Sequence, residues 1–468
     1  MKQTLPIGER LSLRSALAPD PMTTQNAGAP RASLSVIDGA LMMVGVIIGI
    51  GIFKTPQIVA FNVPSEAWFI AAWVLGGAAT LIGCLVYAEL AAAYPSTGGE
   101  YHFLTRAYGQ PVGFLFAWAR TTVIQTGAIA AICFVLGDYA QQIYSLGKYG
   151  SAIYGAVGLF VLTLVNLAGT YESKTAQNVL TVLETSALAA IALVGFLYGG
   201  VATASAPIPS TDVNFGAFGL AMVLILLTYG GWNEAAYISA DLKNVKRDMI
   251  RILLIGTAVV TVLYVLINMA YLSVLGLEGI RKSDAVAATV MRTAFGASGA
   301  VVLSVIVIFA AASTINASIF TGARLYHALG QDLALERLRI WNVEGNNPRN
   351  AIIVQSVIAF VLIIFGALSQ DGFLGMVLYT SPVFWFFILL VGVALMVLRQ
   401  TDPNRERPFR VPLYPITPIL FCLICGYLLY SSLVYAASKD ANLFGWIGIG
   451  VLLLGVPLMF IVKGRRAD

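Results

Sequence analysis

Two short runs in this 468-residue chain combine residues that a plain apolar helix would not carry together. One reads Gly45-Val-Ile47-Ile48-Gly49-Ile50-Gly51-Ile52-Phe53, the other Leu227-Thr228-Tyr229-Gly230-Gly231-Trp232-Asn233. Each Gly costs a helix about 1 kcal/mol relative to Ala. A helix that unwinds in hydrocarbon also leaves N–H and C=O groups unsatisfied, so a break is tolerated only where it lines a cavity or a ligand replaces the lost bonds. The chemistry on offer is recognition by backbone. A half-helix N-terminus presents bare N–H groups and partial positive charge suited to a carboxylate. The opposing half-helix end presents bare carbonyls suited to an ammonium, and a free α-amino acid satisfies both. Close helix packing through Gly45 and Gly49 is the structural alternative; the second interrupted run favours the break.

Charged residues inside apolar runs are the next candidates. Glu184 lies ten residues past Lys174, about 15 Å along a helix and near mid-membrane. Arg120, nine residues past Pro111, reaches a similar depth of about 14 Å. Either the two form a fixed ion pair or Glu184 hydrogen-bonds scaffold groups, or Glu184 titrates or binds a cation such as Na⁺. Glu89, Glu100 and Arg106 flank the turn Pro95-Ser-Thr-Gly-Gly99 and are expected to be solvated or to form gate-closing salt bridges. Asn233 is expected to bridge backbone freed by the second break, and Glu234 to face a cavity or a Lys. Asp138 and Lys148 are expected to be solvated near the outer surface. Catalytic parts are missing: His102 and His327 stand alone, no phosphate-binding loop occurs, and Cys422-x-x-Cys425 lies on an apolar helix. No enzyme, metal or cofactor is expected.

The elements that position these residues follow from composition. Hydrophobic residues make up 58% of the chain and charged ones 11%, against about 25% charged in soluble domains, and mean hydropathy is +0.83. All four cysteines lie in apolar segments, which excludes a secreted disulfide framework. Residues 1–32 are polar and Pro-containing and read as a mobile tail. Beyond them, twelve apolar segments are long enough to span a bilayer: 35–61, 67–93, 111–142, 151–169, 175–200, 214–240, 250–276, 298–326, 350–369, 373–398, 414–437 and 442–463. Residues 283–295 read as a short amphipathic helix, a candidate outer lid. Lys148, Arg281, Lys282, Arg292 and Lys439 would lie outside, Lys54 and Arg120 lie within spans, and every other Lys and Arg falls on the opposite side. The positive-inside rule therefore places both termini in the cytoplasm. The net charge of +5 is thus accounted for and calls for no nucleic-acid partner. The interruptions fall inside the first and the sixth spans, which open the first five and the next five spans, the pattern of a transporter built from inverted repeats.

The chain resembles the amino acid–polyamine–organocation permeases, and among them the bacterial relatives of L-type amino acid transporters. The resemblance rests on Gly45 to Phe53, Tyr87-Ala-Glu-Leu-Ala-Ala-Ala-Tyr-Pro-Ser-Thr-Gly-Gly-Glu-Tyr101, Tyr229-Gly-Gly-Trp-Asn-Glu-Ala-Ala-Tyr237, Asp241-Leu-Lys-Asn-Val-Lys-Arg-Asp248 and Arg407-Pro-Phe-Arg-Val-Pro-Leu-Tyr-Pro415. It implies an all-α membrane protein of twelve helices. Two inverted five-helix repeats, 33–200 and 201–400, would be followed by two peripheral helices in 401–468, with alternating access to a central site. It also implies that the substrate carboxylate meets N–H groups of Ile50, Gly51 and Ile52. The ammonium would meet carbonyls near Ile47, Ile48, Leu227 and Tyr229, with Gly49, Thr228, Gly230, Trp232 and Asn233 completing the site. Gly45, Ser313 and Thr314 join Glu184 and Arg120 as ion-coupling candidates. For both hydroxyls, bonding to their own helix is the competing role, and Asn316 is expected to make an interhelical hydrogen bond. Three positions depart from the family pattern: Ile50 for Ser or Ala, Leu227 for a gating aromatic, and Glu184 for Lys.

The sequence thus points to a secondary transporter of neutral amino acids in the cell membrane, working as an exchanger or as an H⁺- or Na⁺-coupled symporter. A transporter of cationic amino acids or polyamines is the alternative within the class, and an amino-acid-sensing transceptor the alternative outside it. An accessory subunit is left open, with no extracellular Cys to bond it covalently.

Overall fold

The structure, a computed structural model, describes residues 43–45, 47–96, 98–168, 174–199, 214–233, 245–332, 336–340, 347–369, 371–437 and 443–465. The N-terminal tail and Glu234 lie outside them, as does the Glu184 side chain. The described residues form no extended strand, as the long apolar runs dictate: backbone polar groups at membrane depth must bond within their own segment. The helices are α1 (Gly51–Phe61), α2 (Glu66–Ala93), α3 (Gly99–Tyr108) and α4 (Gln110–Gln141). They continue with α5 (Gly150–Leu167), α6 (Lys174–Tyr198), α7 (Phe215–Thr228), α8 (Val245–Arg281) and α9 (Val286–Asp332). The last four are α10 (Arg349–Ala367), α11 (Gly372–Thr401), α12 (Ile416–Ala436) and α13 (Phe444–Arg465).

Eight of the described helices are long and apolar enough to cross a membrane, and three further apolar stretches, Ser186–Tyr198, Phe215–Thr228 and Phe444–Phe460, are shorter. Two breaks inside long helices fall at glycines. α8 leaves helical geometry at Gly276, and α9 turns at Gly296 (φ 67°), where Gly adopts the left-handed conformation without steric cost. The arm before Gly296 coincides with the expected amphipathic helix.

α11 spans about 45 Å and separates two clusters of charge. At its C-terminal, cation-rich end, Arg399 donates from Nε and Nη2 to the Glu89 carboxylate at 2.8 and 2.6 Å. Arg407 lies 3.5 Å from the same group and the Val411 N–H donates to it at 2.7 Å. Glu89 is fully buried, so the solvated alternative for it is corrected; a buried carboxylate must be paired and hydrogen-bonded. Arg106 and the Tyr94 hydroxyl both donate to Asp402 at 3.1 Å. At the opposite, cation-poor end, Asp371 caps α11 by accepting from the Leu374 N–H. There Lys54 lies 2.9 Å from Asp138 and 3.4 Å from Asp371. Asp138, expected to be solvated, is therefore an ion-paired residue that also accepts from Ser151. A Lys within an apolar helix has to find such partners; Lys148 is exposed as expected.

Candidate functional site

Between these two clusters the first and sixth spans stop being helical. The Ile48 N–H still bonds Val44 O at 2.8 Å, then Ile48 to Ile50 leave the helix and α1 starts at Gly51. The first N–H groups of a helix have no intrahelical acceptor, and here Ile50 occupies the N-cap with no side-chain hydrogen bond to them. The departure from Ser at this position has a physical consequence: an isoleucine cannot cap. α7 ends at Thr228, and Tyr229 to Gly231 form a turn with φ 100° at Gly231. The chain continues in a short 3₁₀ segment at Trp232 and Asn233.

The two interruptions are held against each other. The Tyr264 hydroxyl of α8 donates to Ile47 O at 3.0 Å, with Thr228 O at 3.4 Å as a second acceptor. Thr228 Oγ1 donates to Leu224 O and so accepts from Thr55 Oγ1, at 2.7 Å. A Cβ added to Gly51 would lie 2.8 Å from Thr228 Oγ1, whereas one added to Gly49 would meet only Ile47 O at 3.8 Å. Gly51 thus permits close crossing, and Gly49 faces open space. Gly49, Gly51, Leu227 and Gly230 are half-buried, whereas Ile47, Ile48, Ile50, Ile52, Thr228, Tyr229 and Trp232 are buried. The partly accessible residues at the breaks are therefore glycines and Leu227. Tyr229 packs on Tyr264 (ring centroids 5.1 Å) and donates to Trp73 O. Leu227 leaves the gating-aromatic position apolar and unringed.

On the cation-rich side the floor is a buried polar knot. Asn233 accepts from the Gly231 N–H at 3.3 Å, bridging backbone as expected, and donates to Glu100 at 2.8 Å. Tyr87 also donates to Glu100 and stacks edge-on against Trp232 at 4.8 Å. Arg120 Nη1 lies 3.8 Å from Glu100. Glu100 is 1% exposed and sits on α3, the helix that follows the turn, so its solvated alternative is corrected. Arg120 opens a π-helical turn, Arg120–Gln125, within α4; such turns are frequent at functional sites. Arg120 thus meets Glu100 here, and the surroundings of Glu184 lie outside the described residues.

Thr314 donates to Ala310 O of its own helix at 3.0 Å. Ser313 is buried on the same helix, and Asn316 accepts from Asn166 at 2.6 Å across the α5–α9 contact. Gly45 lies in the helical turn before the first break. Among the described residues no group of His, Cys, Asp and Glu could hold a metal, and all four cysteines are free. Sequence reasoning missed Thr55, Tyr87 and Tyr264. A hydroxyl in an apolar span looks the same whether it bonds its own helix or a neighbour's, so only the tertiary structure identifies them.

Residues 34–456 match the family model described as amino acid permease. The chain is 30% identical over 410 residues to the b(0,+)-type amino acid transporter 1 of Mus musculus, covering 86% of this chain and 82% of that one. It is 27% identical to the serine/threonine exchanger SteT of Bacillus subtilis (96% and 100% covered) and 26% identical to the human cystine/glutamate transporter (92% and 86%). These relatives are transporters and not enzymes. With two helix interruptions facing each other in a bundle of apolar spans, the chain belongs to the amino acid permease family.

Proposed function

We propose that the chain is a secondary transporter of neutral amino acids that works by alternating access, holding its substrate at the two interruptions. The observation that carries the reading is the uncapped N-terminus of α1 lying beside the carbonyl end of α7, with open space at Gly49. The substrate carboxylate is assigned to the N–H groups of Ile50, Gly51 and Ile52. The ammonium is assigned to the carbonyls of Ile47, Ile48, Leu227 and Tyr229. A carbonyl oxygen has two lone pairs, so Ile47 O can serve Tyr264 and an ammonium together. Thr228, Gly230, Trp232 and Asn233 wall the site. Neutral selectivity is supported by the apolar side chains at the breaks and by the pairing of nearby Glu100 with Arg120.

The architecture that goes with this reading has twelve spans, in inverted repeats 33–200 and 201–400 plus two helices in 401–468. It lies in the cell membrane with both termini cytoplasmic, supported by the matched interruptions and the cation distribution. Exchange is favoured over symport, since one relative is named an exchanger. Glu184 is the residue on which H⁺ or Na⁺ coupling would rest, with Ser313 and Thr314 as the hydroxyl candidates.

Uptake of labelled serine or leucine into proteoliposomes, empty or preloaded with amino acid, tests the reading. Uptake that needs a loaded lumen and resists competition by arginine and lysine supports neutral exchange. Concentrative uptake into empty vesicles, driven by a pH or Na⁺ gradient, replaces exchange with symport and puts Glu184→Gln first among mutations. Preferential competition by arginine replaces the neutral substrate with a cationic one.

A further inference from the structure

A polar cavity of about 230 Å³ opens at the cation-poor end, and its lining includes none of the residues at the interruptions. It is bounded by five charged side chains: Lys54, Asp138, Lys148, Asp284 and Asp371. Three of them form one ion-paired set. Lys54, 4% exposed, lies 2.9 Å from Asp138 and 3.4 Å from Asp371. The two partners are unequal. Asp138 is the closer, is the more buried and is held by Ser151; Asp371 is 30% exposed and faces the cavity. The other two charges stand at the surface. Lys148 has no ion pair among the described residues, and Asp284 accepts a hydrogen bond from Gln57 Nε2 at 3.2 Å. Gln57 is itself buried, and its Oε1 has no hydrogen-bond partner among the described residues.

Lys54 is also tied to the substrate site. It follows Gly51 by one helical turn, and its neighbour Thr55 bonds Thr228 across the two interruptions. The Phe53 carbonyl accepts from the Tyr139 hydroxyl of α4 at 3.0 Å. Moving α1 away from α4 and α11 to admit substrate from this end therefore means separating Lys54 from Asp371. Separating a buried pair without replacement leaves uncompensated charge, which is strongly disfavoured. An α-amino acid carries the same two charges as the pair.

We propose that this cavity is a vestibule that receives the zwitterionic head of an incoming α-amino acid, whose carboxylate replaces Asp371 at Lys54 while its ammonium takes the freed Asp371 and Asp284. The exchange keeps every charge paired as the cation-poor end opens. An amine or a carboxylate alone supplies one half and leaves the other exposed. The vestibule rests on the amino acid transport reading above and assigns that substrate a first docking place distinct from the interruptions.

The test is Asp371→Asn in the full chain, because Asn also serves as an N-cap and α11 keeps its start while the charge is lost. Uptake kinetics of a labelled neutral amino acid are measured in cells, together with the half-saturating internal amino acid for efflux. The expected result is a KM raised about tenfold from the face bearing the vestibule, the loss of one charge-assisted contact, with the opposite face unchanged. Lys54→Gln is expected to shift the same face in the same direction, and serves if Asp371→Asn yields no folded protein. A KM unchanged in both variants, or raised equally from both faces, overturns the vestibule while leaving transport intact. Absence of any amino acid transport by the unmodified chain overturns the functional reading itself, and the vestibule with it.

Discussion

The phenolic oxygen of Tyr264 lies 3.0 Å from Ile47 O and 3.4 Å from Thr228 O, so one side chain of α8 touches both interruptions. It supplies the donor that the unwound first span lacks. Tyr264→Phe keeps the ring and its packing on Tyr229 but leaves Ile47 O short of a partner. We expect a loss of about 1–3 kcal/mol in stability, read as a lower unfolding temperature in detergent, together with reduced uptake. Unchanged stability and uptake would show that the carbonyl finds another donor.

Two glycines at the first interruption should respond differently to the same change. Gly51→Ala drives a methyl to 2.8 Å from Thr228 Oγ1 and 3.0 Å from its Cγ2, so it should destabilise the α1–α7 crossing. Gly49→Ala meets only Ile47 O at 3.8 Å. It should yield stable protein whose transport is nonetheless impaired, because the methyl occupies the space assigned to substrate. Thermal unfolding and uptake of both variants, side by side, separate the two effects.

The Glu89 carboxylate is the anchor between α2 and the cation-rich end of α11. Glu89→Ala leaves Arg399 without its carboxylate and Arg407 without its neighbour, and removal of one member of a buried pair typically costs about 3–5 kcal/mol. A marked drop in folded yield and unfolding temperature is expected. A variant that unfolds with the unmodified chain would mean that water or Asp402 neutralises the arginines.

Asp402, beyond the end of α11, ties the same region to α3. The hydrogen bond from Arg106, aided by that from Tyr94, holds its carboxyl below the ordinary carboxylate value. A carboxylate depressed in the folded state adds stability above its unfolded value, about pH 4, and loses it as pH falls through the lower folded value. The unfolding temperature should therefore fall over that acidic window in the unmodified chain, and Asp402→Asn should flatten this part of the profile. Identical acid limbs would contradict the assignment.

Much of the fold was legible because it depends on runs of one residue class. The apolar spans and the glycine-marked interruptions at Gly49–Gly51 and Gly230–Gly231 follow from patterns that need no tertiary information. The partners of buried charges were not legible, because pairing joins residues on different helices. Glu89 meets Arg399, Lys54 meets Asp138 and Asp371, and Arg120 meets Glu100. Depth along a helix suggested a partner for Arg120 but carried no information about azimuth, and the turn before α3 hid the route by which Glu100 returns to the bundle. The role of Tyr264 depends on its pointing at a carbonyl of another span, which no local pattern encodes.

The central claim is that backbone at the two interruptions recognises the amino acid head group. Its most direct test compares competitors of labelled serine or leucine uptake: the free amino acid, its methyl ester, its N-acetyl derivative, and a series with altered side chains. Blocking either the carboxylate or the ammonium should abolish competition, while altering a neutral side chain should only grade it. Ester or N-acetyl derivatives that compete as well as the free amino acid would contradict recognition at Ile50–Ile52 and at the carbonyls of Ile47 and Tyr229.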